Sequence, residues 1–140
     1  MSVEIIRIEP TNTFLLDNVA ADVFDLPIHP DRVARLAEQE HQILMVAVTE
    51  GIVIGQILAV IHHHPDKPTE LYIDDLGVTP SHHRQHIASD LVQQALAAGR
   101  NAGYEEIWVL TEPDNLAANG LYSSFGWKQS VAHMFEAEIS

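Results

Sequence analysis

Short segments in which apolar and polar residues alternate recur along the chain, and this pattern is typical of strands with one buried face. Two longer apolar runs, Ile43 to Thr49 and Ile52 to Ile61, flank the dipeptide Glu50-Gly51 and predict an antiparallel hairpin. Further strands are predicted at Val3–Ile8, Leu71–Val78, Ile107–Leu110 and Met134–Ile139. These six segments are therefore expected to pair in a sheet.

Apolar residues at helical spacing predict helices between these strands. The first is capped by Thr11 or Thr13 and carries Phe14, Leu15, Val19 and Val23. Others are predicted over about Asp31 to Glu40, from Ile87 to Ala102, and from Asn115 to Gly126. The resulting order, β-α-α-β-β-β-α-β-α-β, describes an α/β fold with a mixed sheet, in which residues 71–110 form a parallel β-α-β unit. No linker divides the sequence, so a single domain over residues 1–140 is predicted.

Composition and charge narrow the function classes. The chain is 46% apolar and 19% charged, as expected of a folded domain, and it has no cysteine, which excludes disulfides, thiolate-bound metal and an enzyme thiol nucleophile. Twenty acids against seven Lys and Arg give a formal net charge of −13. A field of this sign repels nucleic acid and anionic membranes and attracts cations. An ordinary solvated acidic surface explains the excess of acidic residues as well. The amino terminus has no signal-peptide pattern, so a cytoplasmic location is expected.

The stretch of residues 71–91 carries the clearest chemical signal. A strand runs through a short polar loop straight into a helix, whose first N–H groups are unpaired and lie at the positive end of the helix dipole. A pyrophosphate fits such a position. Basic side chains cluster there, at His82, His83, Arg84 and His86. The segment therefore predicts an anion site, with an ordinary strand–helix turn as the alternative.

This stretch resembles the acetyl-CoA-binding segment of the GNAT acetyltransferases, a strand ending in Leu-x-Val, a Pro-containing turn, and Arg/Gln-x-x-Gly-x-Gly/Ala at a helix start. Leu76-Gly77-Val78 matches the strand end, and residues 83–88 occupy the loop. His83 replaces Arg or Gln, and His86 replaces Gly. Gly alone permits close backbone approach to a ligand without steric cost. His86 therefore either crowds the pyrophosphate or offers it an imidazolium.

A second segment, Asn115 to Trp127, is similar to the family's Asn-x-x-Ala-x-x-Leu-Tyr-x-x-x-Gly-Phe signature. Asn115 is also a good helix N-cap, and Tyr122 alone would more simply be a core aromatic. The resemblance implies a GNAT-like, mostly antiparallel sheet flanked by helices, with acetyl-CoA as co-substrate. The implied cofactor-binding residues are Leu76, Gly77, Val78, His83, Arg84, Gln85, His86, Ile87, Ala88, Ser89, Asn115 and Tyr122.

Within the family, the chain looks most like the small aminoglycoside 3-N-acetyltransferases. Residues 72–78 resemble their Tyr-Ile-x-Asp-Leu-x-Val strand, and residues 131–139 resemble their short tail. Glu112 stands where these enzymes carry an acid. The resemblance implies a small-molecule amine acceptor held by Asp74, Asp75 and Glu112, and a homodimer is frequent in the family.

Acetyl transfer to an amine requires a neutral amine, a polarised carbonyl and a protonated leaving thiolate. The fourth strand is expected to separate from its neighbour near Gly77, which makes the N–H of Val78 the candidate that polarises the carbonyl. Asp75 is the candidate base, and by family similarity Tyr122 is the acid. Adjacent strand residues point to opposite faces, so Asp74 and Asp75 share a face only if a bulge intervenes. Without a Cys, direct transfer is favoured over an acyl-enzyme.

Three histidines in succession, His62 to His64, do not predict a metal site, because consecutive strand side chains cannot all converge on one ion. A solvated hairpin tip is the simpler interpretation. The leading hypothesis is an acetyl-CoA-dependent N-acetyltransferase for a primary amine of a cationic acceptor, an aminoglycoside at its 3-N position or a polyamine. The alternatives are the same chemistry on a peptide or small-metabolite amine, and a non-catalytic acyl-CoA-binding module.

Overall fold

The computed structural model describes residues 2–140. Its strands are β1 (Glu4–Arg7), β2 (Gln42–Thr49), β3 (Ile52–His62), β4 (Glu70–Val78) and β5 (Glu106–Val109). Its helices are α1 (Pro30–Ala37), α2 (Ile87–Ala102) and α3 (Leu116–Ser124), with short 3₁₀ turns at Thr13–Asp17 and Pro80–His82. The chain forms two compact units, the first ending at Leu110 and the second beginning at Thr111. A single domain over residues 1–140 stays a prediction.

The strands form one five-stranded sheet in the order β1-β2-β3-β4-β5. The first three neighbouring pairs are antiparallel, and β4 and β5 are parallel. The predicted fold class, a mixed and mostly antiparallel sheet with a parallel β-α-β unit, is therefore confirmed. No helix within residues 2–140 has the length and apolar character needed to cross a membrane.

The hairpin between β2 and β3 follows the prediction closely. Glu50 and Gly51 have φ angles of 51° and 77°, so both connecting residues lie in the left-handed region. Two successive residues with positive φ are the signature of the tight turn whose twist matches that of paired strands. The turn fixes the register of the two longest apolar strands, and with it the centre of the sheet.

Helix α2 covers one face of the sheet and begins and ends where the pattern predicts. Its buried residues are Ile87, Leu91, Val92, Ala95 and Gly99. Close packing is possible at Gly55 of β3, where a β-carbon would stand 3.2 Å from a side-chain atom of Ile87 and 3.3 Å from one of Leu91. Since side chains alternate along a strand, the next residue, Gln56, faces the opposite side.

The opposite face is covered by the segment of residues 13–28 and by α1. The carbonyl of Asn18 accepts from the amide of Val53 at 2.9 Å, and the amide of Ala20 donates to the carbonyl of Val53 at 2.9 Å. These two bonds attach the segment to β3 as an isolated bridge. The buried cluster below it contains Ile8, Leu16, Val23, Leu44, Val46 and Val53.

The helix predicted after Thr11 or Thr13 was wrong. Only Thr13–Asp17 is helical, as a 3₁₀ turn, and Asn12 makes no side-chain cap. The next residues bond to β3 instead, and Asp22 has a φ of 63°, which a helix does not allow. The apolar residues Val19 and Val23 are thus spaced for packing on the sheet and not for a helical stripe.

The strand predicted at Met134–Ile139 was also wrong, because residues 125–140 contain no helix or strand. Phe135 is 91% exposed and Ile139 is 105% exposed. A strand requires a partner to satisfy its backbone, and residues 111–140 contain no other strand that could supply one within their own unit. The alternation of apolar and polar residues was therefore not sufficient to predict a strand here.

Gly77 of β4 permits the closest approach of the covering segment to the sheet. A β-carbon there would overlap the carbonyl oxygen of Val23, which is backbone and cannot rotate away. Gly77 is paired with Gln56 across the β3–β4 ladder, so the carbonyl of Val23 occupies the space beside the Gln56 side chain.

We expect Gly77→Ala to lower the free energy of unfolding by about 1–3 kcal/mol, because the covering segment must shift to admit the methyl group. Denaturant unfolding measures the change. Gly120→Ala is the matched control: Gly120 lies in α3 with nothing within 4 Å of the new β-carbon, and Ala in place of a helical Gly gains about 0.5–1 kcal/mol. Equal effects of the two substitutions would contradict the proposed overlap.

Candidate active site

The second half of β4 is paired on one side only. β4 pairs with β5 from Glu70 to Ile73, whereas its pairing with β3 continues to Val78. Residues 74–78 therefore form an open edge within the sheet of the first unit. The parallel pairing ends at Ile73 because β5 ends at Val109, so the expected separation of the two strands near Gly77 stays a prediction.

The hydrogen-bond pattern shows which backbone groups face this open edge. The amide of Thr79 donates to the carbonyl of Ile54 at 2.8 Å, which makes Gly55 and Val78 a non-hydrogen-bonded pair of the antiparallel ladder. The N–H and carbonyl of Val78 thus point away from β3, and the same alternation turns those of Gly77 toward β3. Of the predicted group at the strand end, Leu76 and Val78 direct their backbone groups to the edge, where the amide of Leu76 donates to Asp75 and the carbonyl of Val78 lies 2.8 Å from Nε2 of His83. Gly77 instead leaves room for the carbonyl of Val23.

A β-bulge lies at the start of the open edge. Leu58 is paired with Asp75 and Ala59 with Ile73, so Asp74 has no opposite residue on β3. The bulge removes the strict alternation that would otherwise separate the two carboxylates. Asp74 is exposed, and Asp75 is half-buried on the same face as Gln56.

Both oxygens of Asp75 accept hydrogen bonds. Nε2 of Gln56 donates to Oδ2 at 2.9 Å, and the amide of Leu76 donates to Oδ1 at 3.1 Å. Burial raises the pKa of Asp75 above its ordinary value, and the negative charges of Asp25 and Asp74 raise it further, while the two hydrogen bonds oppose these effects. A carboxylate whose pKa is raised is a better proton acceptor, which suits the predicted base.

The loop before α2 presents the helix N-terminus that the sequence indicated. His83, Arg84, Gln85 and His86 are exposed, Ile87 is buried, and Ala88 and Ser89 are half-buried. The first amide with a partner in the helix is that of Asp90, which donates to the carbonyl of His86 at 2.9 Å. His86 gives no side-chain cap, so the first-turn amides keep the orientation that suits an anion.

Two residues of this loop hold a backbone conformation that normally favours glycine. Arg84 has a φ of 65° and His86 a φ of 62°. His86 stands where the similar family has Gly, and the chain keeps the glycine-like geometry without the glycine. His83 fixes the loop to the strand, since its Nε2 lies 2.8 Å from the carbonyl oxygen of Val78.

An acidic cavity lies in the covering segment of the first unit. It has a volume of about 360 Å³, and Asp17, Asp22 and Asp25 line it together with apolar side chains that include Phe24 and Ile28. The segment adjoins the edge of β4 through the carbonyl of Val23, and Asp25 is close enough to act on Asp75. Sequence reasoning missed these three carboxylates and Gln56. A lone Gln within the apolar run of β3 is the signal that could have found the latter.

The second unit holds the other predicted residues. Oδ1 of Asn115 accepts from the amide of Ala118 at 3.0 Å, which confirms the predicted N-cap of α3. Tyr122 is half-buried, and its ring stacks on that of Trp127 with centroids 5.5 Å apart. Glu112 is exposed just before the helix, and its backbone carbonyl accepts from the side chain of Asn119.

The three consecutive histidines point to different partners. His62 stacks on Tyr72 with ring centroids 5.8 Å apart, so it belongs to β3 and not to a solvated tip. Nδ1 of His63 lies 3.0 Å from the hydroxyl of Thr69, and Nε2 of His64 lies 3.1 Å from a carboxylate oxygen of Glu70. Within residues 2–140, no three His, Cys, Asp or Glu side chains gather as metal ligands would.

The mixed sheet and the exposed helix N-terminus that follows β4 are the features expected from the resemblance to the GNAT acetyltransferases, and comparison with known proteins shows the family. Residues 12–127 match the Acetyltransferase (GNAT) family, so the chain belongs to this family. It is 34% identical over 91 residues to human N-acetyltransferase 8B, covering 64% of this chain and 40% of that protein. The chain thus spans well under half the length of this relative.

Bacterial relatives are covered more fully. The chain is 26% identical over 119 residues to the aminoglycoside N(6')-acetyltransferase type 1 of Salmonella typhimurium, covering 78% of this chain and 81% of that one. An aminoglycoside acetyltransferase from an uncultured soil metagenomic sample superposes with a TM-score of 0.83 at 24% identity over all of both chains. The enzyme AAC(6')-Iy, in complex with a bisubstrate analogue, gives a TM-score of 0.81 at 19% identity, again over both whole chains. At these identities the two structures demonstrate a shared fold.

We expect His86→Gly to raise the free energy of unfolding by about 1 kcal/mol, because a left-handed residue with a β-carbon costs about 1–2 kcal/mol and the added chain entropy of Gly offsets part of the gain. Thermal or denaturant unfolding measures it. Gln85→Gly is the control, since Gln85 is in the same exposed loop without a positive φ. A gain for Gln85→Gly that equals the gain for His86→Gly would rule out relief of strain.

Proposed function

We propose that the protein is an N-acetyltransferase that moves the acetyl group of acetyl-CoA to a primary amine of a cationic acceptor. The observation that carries the proposal is the open edge of β4 beside the N-terminus of α2. The edge offers the N–H of Val78, and the helix offers its first-turn amides. A thioester joined to a pyrophosphate needs both kinds of donor, one at the acetyl carbonyl and one at the phosphates.

In this proposal the acetyl-CoA contacts come from the strand end, the loop and the start of α2. The proposed cofactor-binding residues are Leu76, Gly77, Val78, His83, Arg84, Gln85, His86, Ile87, Ala88, Ser89, Asn115 and Tyr122. The assignment of the residues in the first unit is supported by their geometry, and that of Asn115 and Tyr122 by the family resemblance. No metal takes part in the proposed reaction.

The chemistry forms a nitrogen–carbon bond and breaks the carbon–sulfur bond of the thioester. Asp75 accepts the proton of the acceptor's ammonium group, directly or through a water, and frees the lone pair that attacks the carbonyl. The N–H of Val78 stabilises the negative charge that develops on the carbonyl oxygen, a contribution of about 3–4 kcal/mol where such a donor is well placed. The departing sulfur takes a proton from Tyr122, the attacking nitrogen gives its remaining extra proton to the resulting phenolate, directly or through water, and Asp75 releases its own proton to solvent as CoA and the amide leave.

Electrostatics supports a cationic acceptor. The net charge is −13, and the cavity beside β4 is lined by three carboxylates and by apolar side chains. An amino sugar carries several ammonium groups around rings whose C–H faces are apolar. It therefore complements such a lining better than a neutral metabolite does. Asp74, Asp75 and Glu112 are the other proposed acceptor-binding residues.

The position of acetylation is part of the proposal. The sequence resembles the 3-N class, whereas the bacterial relative that matches most of the chain is named an N(6')-acetyltransferase. We propose the 6′ amine as the first site to examine, with the 3-N amine and a polyamine as the other acceptors. A homodimer and a cytoplasmic location stay predictions.

The test is a titration with acetyl-CoA followed by a thiol-release assay against a panel of amines. We expect saturable binding and release of CoA with aminoglycosides, and NMR of the product identifies the acetylated nitrogen. Turnover only on peptide or small neutral amines would show that the acceptor belongs to that class and not to the cationic amines. Binding without turnover on any amine would instead identify an acyl-CoA-binding module, and absence of binding would overturn the proposal.

Tyr122→Phe separates the acid from a packing role. We expect turnover to fall about 100-fold or more, because a positioned general acid contributes about 10²–10⁴-fold, while the affinity for acetyl-CoA changes little. Calorimetric binding and steady-state kinetics measure the two quantities. Tyr104→Phe is the control, since Tyr104 follows α2 outside the proposed site. A Tyr122→Phe protein with the wild-type rate would eliminate Tyr122 as the acid.

A further inference from the structure

Gln56 is a fully buried polar residue in the middle of an apolar strand. Its exposed fraction is 0%, and it is flanked by Gly55 and Ile57, which face α2. Its Nε2 donates twice, to the carbonyl of Val23 at 3.2 Å and to Oδ2 of Asp75 at 2.9 Å. Its Oε1 is buried and has no hydrogen-bond partner within residues 2–140.

The two acceptors fix the orientation of this amide. Rotating the amide by half a turn would point Oε1 at two other oxygens, so the nitrogen must face Val23 and Asp75. The orphaned Oε1 costs free energy that an apolar side chain of similar size would avoid. A Gln at this position is therefore explained by its two donors and not by packing.

We propose that Gln56 is a positioning residue, which holds the Asp75 carboxylate ionised and oriented to receive the proton of the acceptor amine. The inference rests on the proposed function, in which Asp75 is the base. Gln56 occupies one lone pair of Oδ2, and the amide of Leu76 occupies one of Oδ1. Each oxygen retains a second lone pair, and Asp75 is half-buried, so the carboxylate stays accessible while its rotation is restricted.

Two negative charges act on Asp75, so the hydrogen bond from Gln56 is needed to favour its ionised form. Asp25 faces it from the covering segment and Asp74 from its own strand, and both are negative. Burial and these two charges raise the pKa of Asp75, whereas the hydrogen bonds from Gln56 and Leu76 lower it. Removal of the Gln56 donor therefore raises the pKa further, and the base becomes protonated at a higher pH.

The experiment compares pH profiles of kcat/KM for wild type, Gln56→Met and Leu58→Met. Met keeps the approximate volume of Gln and lacks its donors. We expect the acid limb of Gln56→Met to move to higher pH, with roughly tenfold or greater loss of kcat/KM below the limb and a much smaller loss above it. Leu58 is paired with Asp75 on the same face, and its side chain has no group that could bond to the carboxylate, so Leu58→Met is expected to keep the wild-type profile.

Two further variants keep the proposal falsifiable if Gln56→Met does not fold. Gln56→Glu preserves the shape and replaces the donor by a second carboxylate, which also moves the limb to higher pH. In an Asp75→Asn background the Gln56 substitutions are expected to leave the remaining pH dependence unchanged, because the titrating group is absent. A shift of equal size in that background would overturn the proposal.

Carboxyl ¹³C NMR of Asp75 follows its titration without any turnover. We expect its midpoint to rise in Gln56→Met and Gln56→Glu and to stay fixed in Leu58→Met. An unchanged midpoint in both Gln56 variants would overturn the inference even in an active enzyme, and so would a moved midpoint with an unmoved kinetic limb. Absence of acetyl transfer by the wild type would overturn the proposed function instead, and the NMR titration would still decide whether Gln56 controls the carboxylate.

Discussion

The carbonyl oxygen of Val23 is the contact on which the arrangement of the first unit depends. It accepts from Gln56 and lies against Gly77, the residue opposite Gln56 on β4. A main-chain oxygen buried against a sheet requires a donor, and the adjacent backbone groups of Gln56 and Gly77 face each other within the ladder. The Gln56 side chain satisfies this requirement, and the absence of a side chain at Gly77 provides the space. The acidic segment is thereby held against the strand that carries Asp75.

A second constraint is the early end of the pairing between β4 and β5. Parallel pairing stops at Ile73, and the bulge at Asp74 shifts the register of the β3–β4 ladder, which resumes at Asp75. The consequence is local: the backbone groups of Leu76 and Val78 face no partner strand, and the amide of Leu76 and the carbonyl of Val78 bond to the side chains of Asp75 and His83 instead. Such an edge would promote aggregation in an ordinary sheet, but here it is short and followed directly by charged and polar residues of the loop.

The sequence was a good guide wherever one local signal determined the structure. Glu50-Gly51 set the hairpin, and the apolar spacing of Ile87 to Ala102 set α2 at both ends. The prediction failed where residues far along the chain determine the local structure. Residues 18–20 bond to Val53, and Met134–Ile139 has no strand in its own unit to pair with. The network of Gln56 was missed for the same reason, because its partners are 33 and 19 residues away.

The loop before α2 shows that a backbone conformation can be kept when the residue that favours it is lost. Arg84 and His86 both hold left-handed angles, although each carries a β-carbon. Strain of this kind persists only where the surroundings impose it, and here the bond between His83 and the carbonyl of Val78 and the buried side chain of Ile87 fix both ends. The direction of the first-turn amides of α2 therefore depends on these anchors. His86 places an imidazole where the similar family has Gly, and Arg84 adds a cation beside the proposed phosphate site, in a chain that otherwise has few positive charges.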